Sequence, residues 1–278
     1  MRAYHEQRHY GSSLPVSVMQ LYNFSFLAHW HNDVELIYVK EGEVRVGINS
    51  EIRLLKAGDL AVCSSGDIHY YDSRDRNSVI ILVIFHPRLI GSPGGWPGDV
   101  RLLSPIIGNA NEADTESEAL VAQAALLIER MLKESEEKPK YYDTLLLGLL
   151  FELSGLILRS APSEELDPRK DRRLGGGRQA MREALDYLET HCFGPVTLEE
   201  AARQAHMSVY HFSRTFKSTT GMSLTSYVNS IRVDKAEELI RTTELTMLDI
   251  ALECGFTNVR TFNRAFRQFR GKSPSSLR

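Results

Sequence analysis

Two imidazoles and a carboxylate stand close together at His29, His31 and Glu35, Gly42 follows seven residues later, and a further imidazole stands at His69. Side chains on an extended strand alternate between its faces, so positions 29, 31 and 35 project to one side. If that strand lines a barrel, the shared side is the lumen, and His69 from a later strand can join it. Three imidazoles and one carboxylate are a competent donor set for zinc, iron, nickel or manganese. The same residues could instead hydrogen-bond a small polar effector, or simply fill a barrel that takes no ligand. Tyr38 and Trp30 are the nearby rings that could stack on a sugar or aromatic effector, with core packing the competing role for Tyr38.

A different chemistry is written into the last eighty residues, where one pattern occurs twice at an offset of fifty. Leu198 recurs as Leu248, Ala201 as Ala251, Val209 as Val259, Phe212 as Phe262 and Phe216 as Phe266. Arg214 recurs as Arg264, Lys217 as Arg267, Gly221 as Gly271 and Ser223 as Ser273. Thr197 with Glu200 reads as a capping box for a short helix that buries Leu198 and Ala201. Ser208 and Asn258 read as caps of two longer helices, with Val209, Phe212 and Phe216 on the inner face of the first and Val259, Phe262 and Phe266 on that of the second. Tyr210, Ser213, Arg214 and Lys217 then face outward from the first, and Arg260, Asn263, Arg264 and Arg267 from the second. Arginine pairs bidentately with guanine and asparagine with adenine, so the second surface is the richer reader. The bland alternative is a pair of packing units with solvated basic faces.

Residues 223–242 between the copies keep an uninterrupted helical pattern. Twenty residues span about 30 Å at 1.5 Å per residue, close to the about 34 Å of one DNA turn. Two reading helices held that far apart could enter successive major grooves. Charge supports this: residues 196–278 hold 12 Lys/Arg against 8 Asp/Glu, or +4, inside a chain of net −3. Residues 257–272 contain Arg260, Arg264, Arg267, Arg270 and Lys272 and no acid. A local cluster of one sign attracts phosphate whatever the total charge.

The elements that must position these groups follow from pattern. Residues 16–85 alternate short Val/Ile/Leu/Tyr runs with turn signals at Glu41-Gly42, Asn49-Ser50, Ala57-Gly58-Asp59 and Ser65-Gly66-Asp67, which suggests an antiparallel sandwich or small barrel. Residues 91–111 carry Pro93, Pro97 and Pro105 and read as a loop. Helices are expected near 115–134 and 139–160, the second too apolar to stand alone. Residues 159–178, with a charge run and Gly175-Gly176-Gly177, read as a linker. Three dispersed cysteines, an N-terminus without an apolar core, and apolar runs such as Val79–Phe85, well short of the about 20 residues of a membrane span, lead us to expect a cytoplasmic protein.

The segment Val196–Arg278 resembles the DNA-binding domain of AraC/XylS-type transcriptional regulators, a resemblance that spans residues 179–278 once the Gln179–His191 helix is included. It implies seven helices, with two helix-turn-helix units joined by one long helix. It also implies base contacts from Tyr210, Ser213 and Arg214 in the first unit and Val259, Arg260, Asn263 and Arg264 in the second. The N-terminal region resembles the cupin fold, the sensor of many such regulators. It departs from the cupin pattern where Asn23 replaces a glycine six before His29, Ser64 a proline, and Ser73 an asparagine.

The expected architecture is therefore a two-domain α+β chain. A cupin-like antiparallel β-barrel occupies 1–108, a helical dimerisation segment 109–160, a flexible linker 161–178, and an all-α tandem helix-turn-helix domain 179–278. The expected function is a sequence-specific DNA-binding transcriptional regulator, an activator, under small-molecule control. It is not expected to be an enzyme or to require a cofactor, although a divalent transition metal could occupy His29, His31, Glu35 and His69. The effector set is His29, His31, Glu35, Tyr38 and His69, with a sugar as one candidate ligand. Expected partners are double-stranded promoter DNA, the small polar effector, a second copy of the chain through the 115–160 helices with Leu153 at the contact, and RNA polymerase. The rival reading is a metal-dependent cupin enzyme fused to a DNA-binding domain.

Overall fold

A computed structural model of the chain describes residues 14–90, 96, 100–107, 115–165 and 168–278. Much of the expected 91–111 loop and the boundary at 108–109 lie outside the described residues. The N-terminal part is an antiparallel barrel built from β1 (Val16–Tyr22), β2 (Phe26–His29), β3 (Val34–Ile48), β4 (Glu51–Lys56), β5 (Leu60–Cys63), β6 (His69–Asp72) and β7 (Ser78–Phe85). Short strands β8 (Val100–Leu102), β9 (Ile106–Ile107) and β10 (Ser163–Glu165) complete the sheets.

β3 is the spine. Its first half pairs with β5 and β7 and its second half with β4 and β6, so one bent strand belongs to both faces. The bend is a bulge between Val39 and Glu41, and bulges sharpen twist in this way. Gly42 follows it at φ 72, where a Cβ would lie 1.9 Å from the Asn77 carbonyl oxygen. Glu41-Gly42, expected to end a strand, is instead a crease inside one. The Asn49-Ser50, Ala57-Gly58 and Ser65-Gly66 turns are where the sequence placed them.

Period-two alternation sorts the barrel side chains. Ile37, Val39, Ile80, Leu82, Ile84 and Cys63 point inward. Val34, Leu36, Leu60, Val62, Ile81, Val83 and Phe85 point outward into a second core. That core is closed by α1 (Thr115–Glu137) and α2 (Tyr142–Ser160), through Ala124, Ile128 and Met131 of the first and Leu146, Leu149, Leu150, Leu153 and Ile157 of the second. A strand covered on both faces must be apolar throughout, which accounts for the unbroken run in β7. Leu153 is fully buried here, so its expected place on a subunit contact is corrected: it belongs to the protomer's own core. The outward face of α2 instead shows Leu145, Gly148, Phe151 and Gly155.

The C-terminal body consists of α3 (Pro168–His191), α4 (Leu198–Gln204), α5 (Val209–Thr220), α6 (Leu224–Thr242), α7 (Met247–Glu253) and α8 (Val259–Arg270), with a 3-10 turn at Pro274–Leu277 as the seventh helical piece. The flexible linker expected over 161–178 is not what the described residues form. Ser163–Glu165 pairs with β8, and α3 runs through all three glycines. Each glycine costs a helix about 1 kcal/mol relative to alanine, so Gly175–Gly177 mark the intrinsically weakest turns of α3.

Candidate functional site

His29 closes β2, His31 stands in the connection to β3, Glu35 lies near the start of β3, and His69 opens β6. The expected single strand is thus two strands and their link, but the shared face is real. His29 pairs directly with His69 across β2 and β6. One ligand atom from each of the four residues lies within 4.8 Å of the others, and all four residues are buried. His31 Nε2 is 3.0 Å and His69 Nε2 3.6 Å from Glu35 Oε2.

The opposite nitrogen of each ring faces a backbone carbonyl. Nδ1 of His29 lies 2.9 Å from Leu27 O, that of His31 3.0 Å from Asp33 O, and that of His69 2.9 Å from Asp67 O. A carbonyl can only accept, so each Nδ1 carries the proton. The Nε2 atoms of His31 and His69 face the Glu35 carboxylate, and each presents a lone pair to a cation once its ring is neutral. This arrangement orients histidine ligands around metals. His69 Nε2 is buried without a hydrogen-bond partner, an orphan that a cation would satisfy. The residues present therefore fit a divalent transition metal.

Electrostatics agree with the geometry. Burial holds the His29 imidazole well below its usual range, reinforced by His69. Burial alone would raise the Glu35 carboxyl, but the His31 and His69 imidazoles beside it outweigh burial and hold it well below the usual carboxylate range. Against its own burial, His69 is raised in turn by that carboxylate. A neutral imidazole beside a carboxylate is a coordinating pair.

The structure adds Tyr71 and removes two rings. The Tyr71 hydroxyl donates to Glu35 Oε1 in a short contact, and Phe26 packs edge-on against His29 at 4.5 Å. Tyr71 lies two residues after His69 on β6, so strand parity carried the signal that sequence reading missed. Tyr38 has the parity opposite to Glu35 and packs against the α1/α2 core; burial and Glu129 push its phenol up. It is not part of the effector set. Trp30 also faces away, with the Arg182 guanidinium 5.0 Å above its ring and Asp186 accepting from its indole N–H at 3.3 Å. Asn23, in place of the family's glycine, holds a left-handed φ of 49 and receives Ser78 N–H on its side-chain oxygen.

The DNA-reading unit is built from caps outward. Thr197 and Glu200 form the capping box on α4, while Ser208 and Asn258 cap α5 and α8. Phe212, Phe216, Phe262 and Phe266 are buried, and replacing such a ring by alanine costs about 3–5 kcal/mol. Tyr210, Ser213, Arg214 and Lys217 of α5 and Arg260, Arg264 and Arg267 of α8 are exposed. Asn263 and Val259 are half-buried and line one open groove on α8 with Arg260, Arg264 and Arg267. Val209 is 37% exposed and is not the inner residue expected. Arg270 leaves the basic cluster, because it is bound by Asp234 and Glu237 of α6. α6 has 19 residues, about 28 Å of rise.

The offset between the copies is not uniform. Thr197 and Thr246 cap the first helices, Ala201-Ala202 match Ile250-Ala251 in burial, and Met207 N–H to Ala202 O matches Phe256 N–H to Ala251 O. All of these stand 49 apart. Ser208 and Asn258, Phe212 and Phe262, and Gly221 and Gly271 stand 50 apart. Thr257 is the extra residue. The pairing of Leu198 with Leu248 is therefore corrected: Leu198 matches Met247, and Leu248 occupies the exposed place of Glu199. The turn residue in the left-handed region is His206 (φ 52) in the first copy and Gly255 (φ 81) in the second.

Residues 201–278 match the model of a helix-turn-helix domain and residues 19–85 that of the cupin domain. The chain is 25% identical over 261 residues to the HTH-type transcriptional activator RhaS of Klebsiella pneumoniae (strain 342), covering 91% of this chain and 88% of that one. It is 25% identical over 254 residues to the HTH-type transcriptional activator RhaR of Escherichia coli O139:H28 (strain E24377A / ETEC), covering 91% and 87%. Among solved structures, the DNA-binding domain of AdpA in complex with a target DNA aligns over 35% of this chain and 87% of that one, at 28% identity and a TM-score of 0.34. A cupin barrel followed by a tandem helix-turn-helix reader defines a DNA-binding transcriptional regulator. The chain carries an AraC-type helix-turn-helix domain behind a cupin domain, the arrangement it shares with these activators. Among the described residues no helix is long and apolar enough to cross a membrane.

Proposed function

We propose that this regulator senses through a divalent transition metal held by His29, His31, Glu35 and His69, and activates promoters as a homodimer. The observation that carries the reading is the convergence of donor atoms within 4.8 Å at a buried point, with three Nδ1 atoms held by carbonyls. Such spacing suits an ion. It leaves no space among those atoms for a carbohydrate, so a sugar or other polar effector would bind beside the cluster rather than within it. A bound ion supplies a Lewis-acidic point for the oxygens of such a molecule. The protein's own residues orient the donors, keep Glu35 ionised and keep bulk water out. The role is regulatory rather than catalytic, in line with relatives that are transcriptional activators.

Dimerisation is assigned to the outward face of α2, where Leu145 and Phe151 are exposed beside Gly148 and Gly155, and nothing lies within 4 Å of a Cβ built at either glycine. RNA polymerase is the expected further partner of an activator. The test is metal analysis of the purified full chain together with promoter footprinting. One bound ion per protomer, lost in His31→Ala and His69→Ala and linked to a changed footprint, supports the reading. An intact cluster that takes up no zinc, nickel, iron or manganese overturns it, and substrate turnover by the metal-loaded protein would move the assignment to the enzyme class.

A further inference from the structure

The inner face of the β2–β6 ribbon carries the histidine cluster, and its outer face carries the DNA-binding domain. On β2 and just beyond it, His29 and His31 point inward while Ala28 and Trp30 point outward. On β6 and just before it, His69 and Tyr71 point inward while Ile68 and Tyr70 point outward. Ala28, Ile68 and Tyr70 belong to one apolar cluster with Met181 and Leu185 of α3, Phe216 of α5 and Tyr227 of α6. The barrel wall between cluster and reader is therefore a single strand thick.

Polar contacts stitch the same wall. The Tyr227 hydroxyl donates to Ala28 O at 2.6 Å. Trp30 is held between Arg182 and Asp186 of α3. Two residues touch both sides at once. The Asp67 carbonyl oxygen faces His69 Nδ1 while its carboxylate accepts from Arg178 at 3.0 Å. Gly66 N–H donates to His31 O at 2.7 Å, and its carbonyl oxygen accepts from Arg182. Gly221, the C-cap of α5, meets the Tyr70 ring so closely that a Cβ there would lie 2.7 Å from it.

We propose that the β2–β6 ribbon is the transmission element of this protein: the occupant of the histidine cluster sets how firmly α3 and α6 are clamped to the outer face. A shift in the His29, His31 or His69 backbone displaces Ala28, Trp30, Gly66 and Asp67 by chain connectivity, because close-packed interiors do not absorb such shifts. The coupling is reciprocal, so releasing the clamp changes the affinity of the cluster by the same factor. The assignment of an occupant rests on the sensing role proposed above, but the coupling itself is a property of the wall.

The full chain offers an optical reporter, since Trp30 and Trp96 are its two tryptophans. In a Trp96→Phe background, Arg178→Ala/Arg182→Ala is expected to shift Trp30 emission to the red and to speed hydrogen exchange in residues 64–72. Zinc affinity measured by calorimetry is expected to change about 5-fold or more, the lower range of allosteric coupling. Tyr227→Phe, which removes only a hydroxyl, should act in the same direction. Equal zinc affinity in parent and clamp variants, with the Trp30 shift present, overturns the coupling. Should the parent bind no zinc, the metal reading falls, and Glu35→Gln decides the coupling without a ligand. Altered exchange in residues 178–188 and 224–232 supports it, and unaltered exchange there overturns it.

Discussion

The hydroxyl of Tyr227, deep in the DNA-binding domain, donates a hydrogen bond to the carbonyl of Ala28, 199 positions earlier and one residue before the first histidine of the cluster. Sensor and reader therefore share a core in this arrangement, while both reading helices keep their basic faces open to solvent. The clamp holds the reader without covering it. Under the coupling proposed above, regulation by this contact would act on the relative placement of the two units rather than on access to the recognition side chains.

Two arginines of α8, one on its exposed basic face and one bound to α6, should behave differently. Arg264→Ala is expected to weaken specific binding by about 1–3 kcal/mol and relax preference at one base pair, with thermal stability unchanged. Arg270→Ala removes the partner of Asp234 and Glu237, so its loss should appear first in the melting temperature. Paired footprinting and thermal unfolding separate them, and an unaltered footprint for Arg264→Ala would show that the reading face is misassigned.

Charge placed on neighbouring residues of α2 should also separate two effects. Phe151→Asp puts a carboxylate on an exposed position and is expected to yield folded monomers in sedimentation. Leu153→Asp buries an unpaired charge in the α1/α2 core and should unfold the barrel, as such burial costs several kcal/mol. A folded dimer of Phe151→Asp would remove α2 from the subunit contact.

Burial pushes the Cys192 thiol up to about 11 and that of Cys254 up to about 12, and burial with Glu35 and Asp67 nearby raises Cys63 well above its usual range. At pH 8 the native protein should react with no thiol reagent, while the urea-unfolded chain exposes three cysteines. The protonated thiols contribute fully below the unfolded value of about 8.5, and that contribution is lost as pH climbs towards the raised native values. Alkaline unfolding monitored by circular dichroism checks it, and rapid labelling of native protein at pH 8 would contradict the burial.

The two turns make opposite predictions at equivalent places. His206 holds a left-handed φ that glycine adopts freely, so His206→Gly should stabilise by about 1 kcal/mol or be neutral. Gly255→Ala should destabilise by more than that, because its Cβ would fall 2.5 Å from the Phe193 carbonyl oxygen. Differential scanning calorimetry of the pair is sufficient.

What the sequence made legible was whatever depends on local periodicity. The caps Thr197, Ser208 and Asn258, the inward parity of His29, His31 and Glu35, and the extent of the strand region all follow from spacing within a few residues. What it hid depends on neighbours distant in the chain. Tyr38 and Trp30 lie near the histidines in sequence, which leaves stacking and core packing both open for Tyr38, because proximity along the chain ignores which face of the strand a ring occupies. An over-apolar helix does not say which partner covers it, so the sequence leaves Leu153 free to be an interface residue. Gly175–Gly177 read as a linker because their intrinsic helix cost is real, yet α3 runs through them. The one-residue mismatch at Thr257 was invisible because Leu248 happens to sit where a uniform repeat would place a core leucine.

That single extra residue has a consequence for how the protein lies on a promoter. Two interchangeable units joined head to tail could slip by one half-site along a repeated operator. Here the units differ in turn geometry, and α7 shows Leu248 and Leu252 where α4 shows Glu199 and Arg203. The molecule is therefore a directional object: it has a leading and a trailing end on the duplex. Inverting its operator would carry the barrel, and anything the barrel recruits, to the opposite side of the site.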